Sequence, residues 1–523
     1  MHQDNSIFYK WIPNWAIVPI LGIALFPHLM LMSIFSANST FTASFLDIDI
    51  DDVQYLFSIM YAMFVCGTLL SVRFFHFFNL KTYLLVMTSI NILILMAMTI
   101  TKNYELIIIL RFLQGIFALF EGCILIPVIL SRLKSLHAKK IAYTILYGYM
   151  LTGATLTTSI VKIAIENYDH NMMLRIVMFF HVGSLILYIS IFNGNRFFPK
   201  KPLYQLGIIG FLLLATACLS GAFFFVYGKR YNWFDSDYII ISFISTLVFS
   251  GLFILQQATA KRPLFHFEVF KSKKVIIGMI LFFIFYSTKQ SISNVYQVMD
   301  TIWKWPWEYV LKMQYWIVWG SLLGLISALI ALIKQAKFKY LFSLGFLFLG
   351  ISFYWFSQLF VPDAAPNAVA PALFIFGLAQ GILFTPLVLY ILDSMNPSIM
   401  SHALLMGVTT RFWGMTVGFT VMQNSMWFLT KKHQTIITDD LLVTNSLFSN
   451  EWNRILENNL SNHLETEAIS ITAQNIGKQV ATQTILISNI EIFTILTIIT
   501  VFTAVVILFY NPVRTHIQRK ISF

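Results

Sequence analysis

The chain has 523 residues, of which 58% are hydrophobic and 11% charged, and its formal net charge is +12 at pH 7. That balance excludes a soluble globular protein, which could not cover its surface with so few polar groups. The basic residues sit in short loops between apolar runs, so the excess speaks for a lipid bilayer and against nucleic acid as partner.

In chain order, apolar runs of about 20 residues, each long enough to cross a hydrocarbon core, predict fourteen spans. They fall near 13–36, 53–71, 82–101, 104–131, 141–165, 172–194, 204–228, 237–258, 275–298, 309–333, 340–360, 368–392, 401–428 and 486–510. The stretch "MHQDNSIFYKWIPNW" lacks a basic n-region and a small-residue cleavage site, so it does not read as a cleavable signal. Cys66, Cys123 and Cys218 are scattered through apolar segments and read as buried small residues rather than a disulfide or metal framework.

Orientation follows from lysine and arginine in short loops. Loops after even-numbered spans carry Arg73 and Lys81, then Arg132, Lys134, Lys139 and Lys140, then Arg196, Lys200 and Lys201. Later even loops carry Lys261, Arg262, Lys271, Lys273 and Lys274, then Lys334, Lys337 and Lys339, and finally Arg514, Arg519 and Lys520. Opposite loops are poorer in cations and include "DIDIDD" at 47–52, so both termini are expected in the cytoplasm, in a multi-pass protein of the inner membrane. Trp11 and Trp15, and Trp233, Trp303, Trp305 and Trp307, fall where interfacial anchors are expected. Residues 429–485 form a long polar outer loop. In it Trp452, Ile455, Leu456, Leu460 and Leu464 recur at helical spacing, predicting an amphipathic helical hairpin over the outer mouth.

"RFLQGIFALF" (111–120) and "FGLAQGILFT" (376–385) share Gln-Gly-Ile, at 114–116 and 380–382. Both lie in spans running from outside to inside, and each precedes a glycine-bearing span, "YGYMLTG" (147–153) and "RFWGMTVG" (411–418). Such repeats mark secondary transporters, whose substrate path lies between the halves. The expected fold class is therefore an all-α polytopic membrane protein with two six-helix bundles, 1–202 and 259–523, the second including 429–485. Two extra linker helices occupy 203–258.

With these residues in view the chain resembles the major facilitator superfamily, in its fourteen-helix drug:proton antiporter branch of the EmrB/QacA type. "LRFLQGI" and Pro127 are similar to the superfamily's fourth-helix motif. "LSGAFFFVYGKRYNWFDSDYI" (219–239) resembles the linker hairpin, "KRPLFHFEVFKSKKVIIG" (261–278) the cytoplasmic linker, and "SHALLMGVTTRFWGMTVG" (401–418) the thirteenth helix. The resemblance implies a major facilitator fold and export of amphipathic compounds against protons. It also implies a link between Arg111 and proton transfer. Where the cell has two membranes, a periplasmic adaptor protein is expected at 429–485. Three features depart from the pattern. No acid stands near Met30 and Leu31 in the first span. "LLSVRFFHFFNLK" keeps Arg73 without its acid, and the fifth-span Gly-Pro appears only as Gly153-Ala154.

No P-loop, HExxH or dinucleotide fingerprint is present, so neither an enzyme nor a cofactor is expected, and transport would draw on an ion gradient. Ionisable groups at membrane depth are costly and mark function. Arg111, Glu121 and His28 are the candidates for proton coupling. Glu121 follows Arg111 by about 15 Å along the helix and about 80° around it, so the two are not a direct pair. Histidine as a residue type titrates near neutral pH, so His28, near the missing acid, could replace it. Gln114, Lys289, Gln290, Asn294, Trp316 and Arg411 are candidates for the substrate wall. The run "YSTKQSISN" (286–294) is too polar to face lipid, and a charged Lys289 would favour an anionic substrate. Arg73, Gly115, Gly153, Gly381, Gly414 and Gly418 are candidates for the conformational switch. Two other readings stand beside export: a proton-coupled importer of the peptide or nutrient type, and a transport-inactive membrane sensor or scaffold.

Overall fold

A computed structural model describes residues 7–35, 39–133, 135–200, 203, 206–261, 263–393, 400–439, 441, 446–461 and 464–521. Lys134, Lys201 and Arg262 of the orientation set lie outside them. The described chain is helical, with one isolated bridge between Phe8 and Phe192. The first half contains α1 (Asn14–Ser33), α2 (Ser39–Leu46), α3 (Ile50–Phe77), α4 (Leu80–Ile100), α5 (Tyr104–Cys123), α6 (Leu125–Arg132), α7 (Ala138–Asn167) and α8 (His170–Ile191). The linker region contains α9 (Ile208–Tyr227) and α10 (Asp237–Thr259). Then follow α11 (Lys273–Lys289), α12 (Ile292–Thr301), α13 (Trp307–Ile333), α14 (Phe338–Leu359), α15 (Pro366–Leu392), α16 (Met400–Asp439), α17 (Ser446–Leu460) and α18 (Glu465–Ile521).

Twelve described helical segments are long and apolar enough to cross a membrane. The other two expected spans, 141–165 and 401–428, fall on the more polar α7 and α16. Two expected spans are broken helices. The fourth bends between α5 and α6, where Pro127 has no N–H to offer the Cys123 carbonyl. The ninth breaks between α11 and α12 without proline. There the Ser291 backbone N–H and hydroxyl both bond the Thr288 carbonyl, at 3.2 and 2.8 Å, while Ser293 Oγ takes that of Gln290. Hydroxyls that bond nearby carbonyls compete with the helical ladder.

The chain separates into two compact units. One comprises Met1–Ser287, Ser321–Leu341 and Gly381–Val417, the other Thr288–Gly320, Phe342–Gln380 and Gly418–Phe523. In the first unit α3 packs along α5 and α9, and α9 along α10. Apolar side chains such as Leu31, Leu56, Leu95, Met173 and Val177 fill the core between the first helices. A polar clasp fixes the end of α9: Tyr227 OH donates to Asp52 Oδ1 at 2.6 Å, and Arg230 pairs with Asp49 at 2.9 Å. In the second unit Phe493 of α18 sits among Phe353, Phe356 and Phe360.

The polar stretch 429–485 is largely helical, as the helical spacing within it predicts. At about 1.5 Å per residue the 57-residue α18 is some 85 Å long, far more than a bilayer core needs. Its first twenty or so residues therefore project from the membrane. They form a hairpin with α17, in which Ala468 is buried and Asn459 Nδ2 donates to Thr472 Oγ1 at 3.0 Å.

Candidate functional site

Three helices of the first unit bring together His28 (α1), Glu121 (α5) and His181 (α8), all buried. Nδ1 of His28 stands 3.3 Å from Oε2 of Glu121. The carboxylate is held from α4: Thr88 Oγ1 donates to Oε1, and Asn91 Nδ2 to Oε2 at 2.6 Å. The Val177 carbonyl fixes the tautomer of His181, and the Ala24 carbonyl favours one tautomer of His28. Tyr188 OH lies 3.4 Å from the Ala24 carbonyl, which can only accept, so the phenol's one proton points there. The phenol then accepts from His28 Nε2–H at 3.2 Å, which leaves Nδ1 a bare lone pair facing the carboxylate. His181 Nδ1–H donates to the Val177 carbonyl at 2.9 Å, leaving Nε2 without a hydrogen-bond partner. Acceptors facing one another in an apolar interior call for a cation between them.

The sequence named His28 and Glu121 separately, and the structure joins them. His181 was missed. Its only signal was another histidine midway along an apolar span, and no spacing links positions 28, 121 and 181.

Arg111 belongs to a different arrangement. It is fully buried, with Nη1 donating to the Leu31 carbonyl at 3.2 Å and to Gln114 Oε1 at 2.5 Å. Leu31 lies in the last turn of α1, where carbonyls have no partner within the helix. The guanidinium therefore caps the helix that carries His28, with the Phe35 ring 4.8 Å away. As expected from their spacing, Arg111 does not pair with Glu121.

Arg411 (α16) is surrounded by rings. Its guanidinium lies 5.1 Å from the Tyr286 centroid and 5.7 Å from that of Phe384, a cation–π geometry. Tyr147 packs on Phe384 at 4.8 Å and Tyr61 on Phe412 at 6.0 Å. Arg411 Nε and the hydroxyls of Tyr61 and Tyr286 have no hydrogen-bond partner, and no described acid pairs with Arg411. The cavity beside it, lined by Tyr147, Phe282 and Arg411, measures about 20 Å³, room for one water.

No family model matches the chain. Among curated proteins, the multidrug export protein EmrB of Escherichia coli (strain K12) is 23% identical over 415 residues, 76% of each chain. The probable multidrug resistance protein EmrY of the same strain is 22% identical over 284 residues, 50% of this chain and 53% of its own length. Among solved structures, a POT family transporter with a thioalcohol-conjugated peptide superposes with a TM-score of 0.61 at 11% identity, covering 95% of this chain and 96% of its own. The major facilitator proton:xylose symporter XylE superposes at 0.52 with 12% identity, over 80% and 90%. The chain is thus similar in sequence to EmrB-type exporters and shares the fold of these transporters.

The remaining candidates take their places in that fold. Gln114-Gly115 and Gln380-Gly381 make matching helix crossings. Gly115 leaves no room for a Cβ against the Met60 carbonyl of α3, nor Gly381 against the Ser321 carbonyl of α13. On the predicted span map these crossings join spans 4 and 2, and spans 12 and 10. Gly414 abuts Tyr286 and Gly153 abuts Leu29. Arg73 lies near the end of α3, and Gly418 lies in α16. In the second unit Lys289 ends α11, Gln290 sits in the break, and Asn294 is buried in α12 with an unpartnered Nδ2. Trp316 of α13 is 43% exposed and packs edge-on against Phe374, 6.4 Å away.

Proposed function

We propose that this chain is a multidrug exporter of the inner membrane that moves amphipathic compounds out of the cytoplasm in exchange for protons. EmrB and EmrY carry multidrug names, and the resemblance to them supports the substrate class. The single observation that carries the reading is the ring-lined Arg411, a cation in apolar surroundings with no acid among the described residues against it. Such a site suits a lipophilic compound bearing an anionic group, with the rings taking its aromatic body and the guanidinium its charge. The same site offers nothing special to a sugar, and no described acid stands there for the free ammonium of a peptide, which ranks import second.

The cycle we infer is alternating access between a first bundle (1–202) and a second (259–523), with 203–258 as linker helices and both termini cytoplasmic. On that map the contacts within the first unit hold the inner side shut. Lys139 Nζ meets Asp393 Oδ1 at 2.6 Å, Lys140 Nζ donates to the Leu332 carbonyl at 2.6 Å, and Tyr147 packs on Phe384. Opening inward separates them, and the small cavity at Arg411 widens to admit substrate. The proton we assign to Glu121 and His28, which together replace the acid missing from the first span. Arg111 acts on them as a positioning residue, by capping α1. Lys289, Gln290, Asn294 and Trp316 are proposed as substrate-wall residues of the second unit, and the close-packed glycines as the surfaces on which helices slide. The α17–α18 hairpin is proposed as the docking place of an adaptor protein.

The test is substrate-induced proton movement in proteoliposomes, read with a pH dye against a panel of amphipathic acids and cations. Proton release on adding acids, absent in Arg411→Gln, supports the reading. A response to cations alone overturns the substrate class, and none from folded protein with any compound favours the scaffold.

A further inference from the structure

We infer that His28, Glu121 and His181 form a binding site for one divalent transition-metal ion of the zinc and cobalt class. Three lone pairs meet in this buried cluster, and one proton can bridge at most two of them. A metal ion satisfies all three. One ligand atom from each residue lies within 4.8 Å of the others. The 3.3 Å between His28 Nδ1 and Glu121 Oε2 matches the roughly 3.3 Å edge of a tetrahedron with bonds of about 2.0 Å.

The surroundings match those of ligating residues. A metal-binding histidine donates its other N–H to a carbonyl or similar acceptor, which fixes ring and tautomer. His181 does so to Val177, and His28 to Tyr188. The carboxylate is in turn held by Thr88 and Asn91. Two imidazoles and one carboxylate suit zinc or cobalt, and lack the six or more oxygens that calcium prefers. A bound ion would tie α1, α5 and α8 together and exclude the proton from Glu121, so it would inhibit transport. That consequence rests on the antiport reading; metal binding itself does not.

The experiment uses the full chain in detergent micelles, with a histidine-free affinity tag, stripped by chelator and titrated with Co²⁺. We expect one Co²⁺ per chain, with visible bands of a low-coordinate nitrogen and oxygen site, displaced by Zn²⁺. His181→Ala and Glu121→Gln lower the affinity by more than the 10- to 100-fold that losing a supporting residue costs. Thr88→Val, which leaves every ligand in place, lowers it by about 10-fold. His137→Ala, in the loop after α6, leaves it unchanged. Equal elution volume and melting temperature without metal show that a variant is folded, and if His181→Ala is not, Thr88→Val decides. No saturable binding by the wild type, or binding that survives these substitutions, overturns the site. Neither result bears on drug export, which is read without added metal.

Discussion

The two Gln-Gly helices share a packing solution and differ in chemistry. In α5 and in α15 the glycine lets the helix approach a backbone carbonyl of the helix two spans earlier. Aligned on Gln-Gly, Arg111 corresponds to Gly377 and Glu121 to Leu387. Gly377 again has no room for a Cβ, here against the Ile317 carbonyl of α13. The fold thus uses small residues at a crossing twice, as close approach between apolar helices requires. It places ionisable groups on one copy only. Packing is common to the two helices, and buried charged groups are specific to the first.

Making α5 resemble α15 should have the largest effect. Glu121→Leu should abolish drug-driven proton movement in proteoliposomes, a loss on the order of 100-fold or more, the scale of removing a proton-transfer group. The reverse change, Leu387→Glu, should create no coupling, because nothing places histidines beside it. A proton signal that survives Glu121→Leu would break the comparison.

Arg111→Gly, the other exchange, should act mainly through stability. It removes a charge-assisted hydrogen bond to the end of α1, worth about 1.5–3 kcal/mol. The melting temperature in detergent should fall, and Arg111→Lys should restore only part of it, because an ammonium lacks the planar fork. If Arg111 holds α1, proton release per folded molecule changes little. A folded variant without proton release would instead put Arg111 in the transfer itself.

The packing half of the comparison predicts equality. Gly115→Ala and Gly381→Ala each force a methyl against backbone and should each cost about 1–3 kcal/mol. Similar losses of melting temperature support equivalent crossings, while a large loss in one alone would show that the repeat is only a sequence match.

These contrasts also show what the chain made legible. Span lengths and the Gln-Gly repeat are local patterns, and each could be read directly. His28 and Glu121 stood out because a polar group in an apolar run is costly. Their meeting could not be read, because it depends on how α1, α4, α5 and α8 turn toward one another. His181 vanished for the same reason. The break after Lys289 escaped because serines enter helices freely unless their hydroxyls claim carbonyls, and α2 because eight residues carry too little periodicity.

The smallest expected effect concerns the loops that follow the two helices. Lys139, beyond α6, meets Asp393, at the end of α15, but both are partly exposed, at 32% and 46%. An exposed pair contributes about 0–1 kcal/mol, whatever its length. Lys139→Ala should therefore shift the balance between inward- and outward-open forms by no more than about fivefold. Spin labels on the Lys139 and Asp393 loops would read that balance as a distance distribution. The Lys140 bond to the Leu332 carbonyl is only partly buried, so the rings of Tyr147 and Phe384 should hold most of the closure. Tyr147→Ala should then open the inner side more than either lysine variant. If Lys139→Ala alone opens it fully, charge rather than aromatic packing holds the inner side shut, and the loops would matter more than the helices they follow.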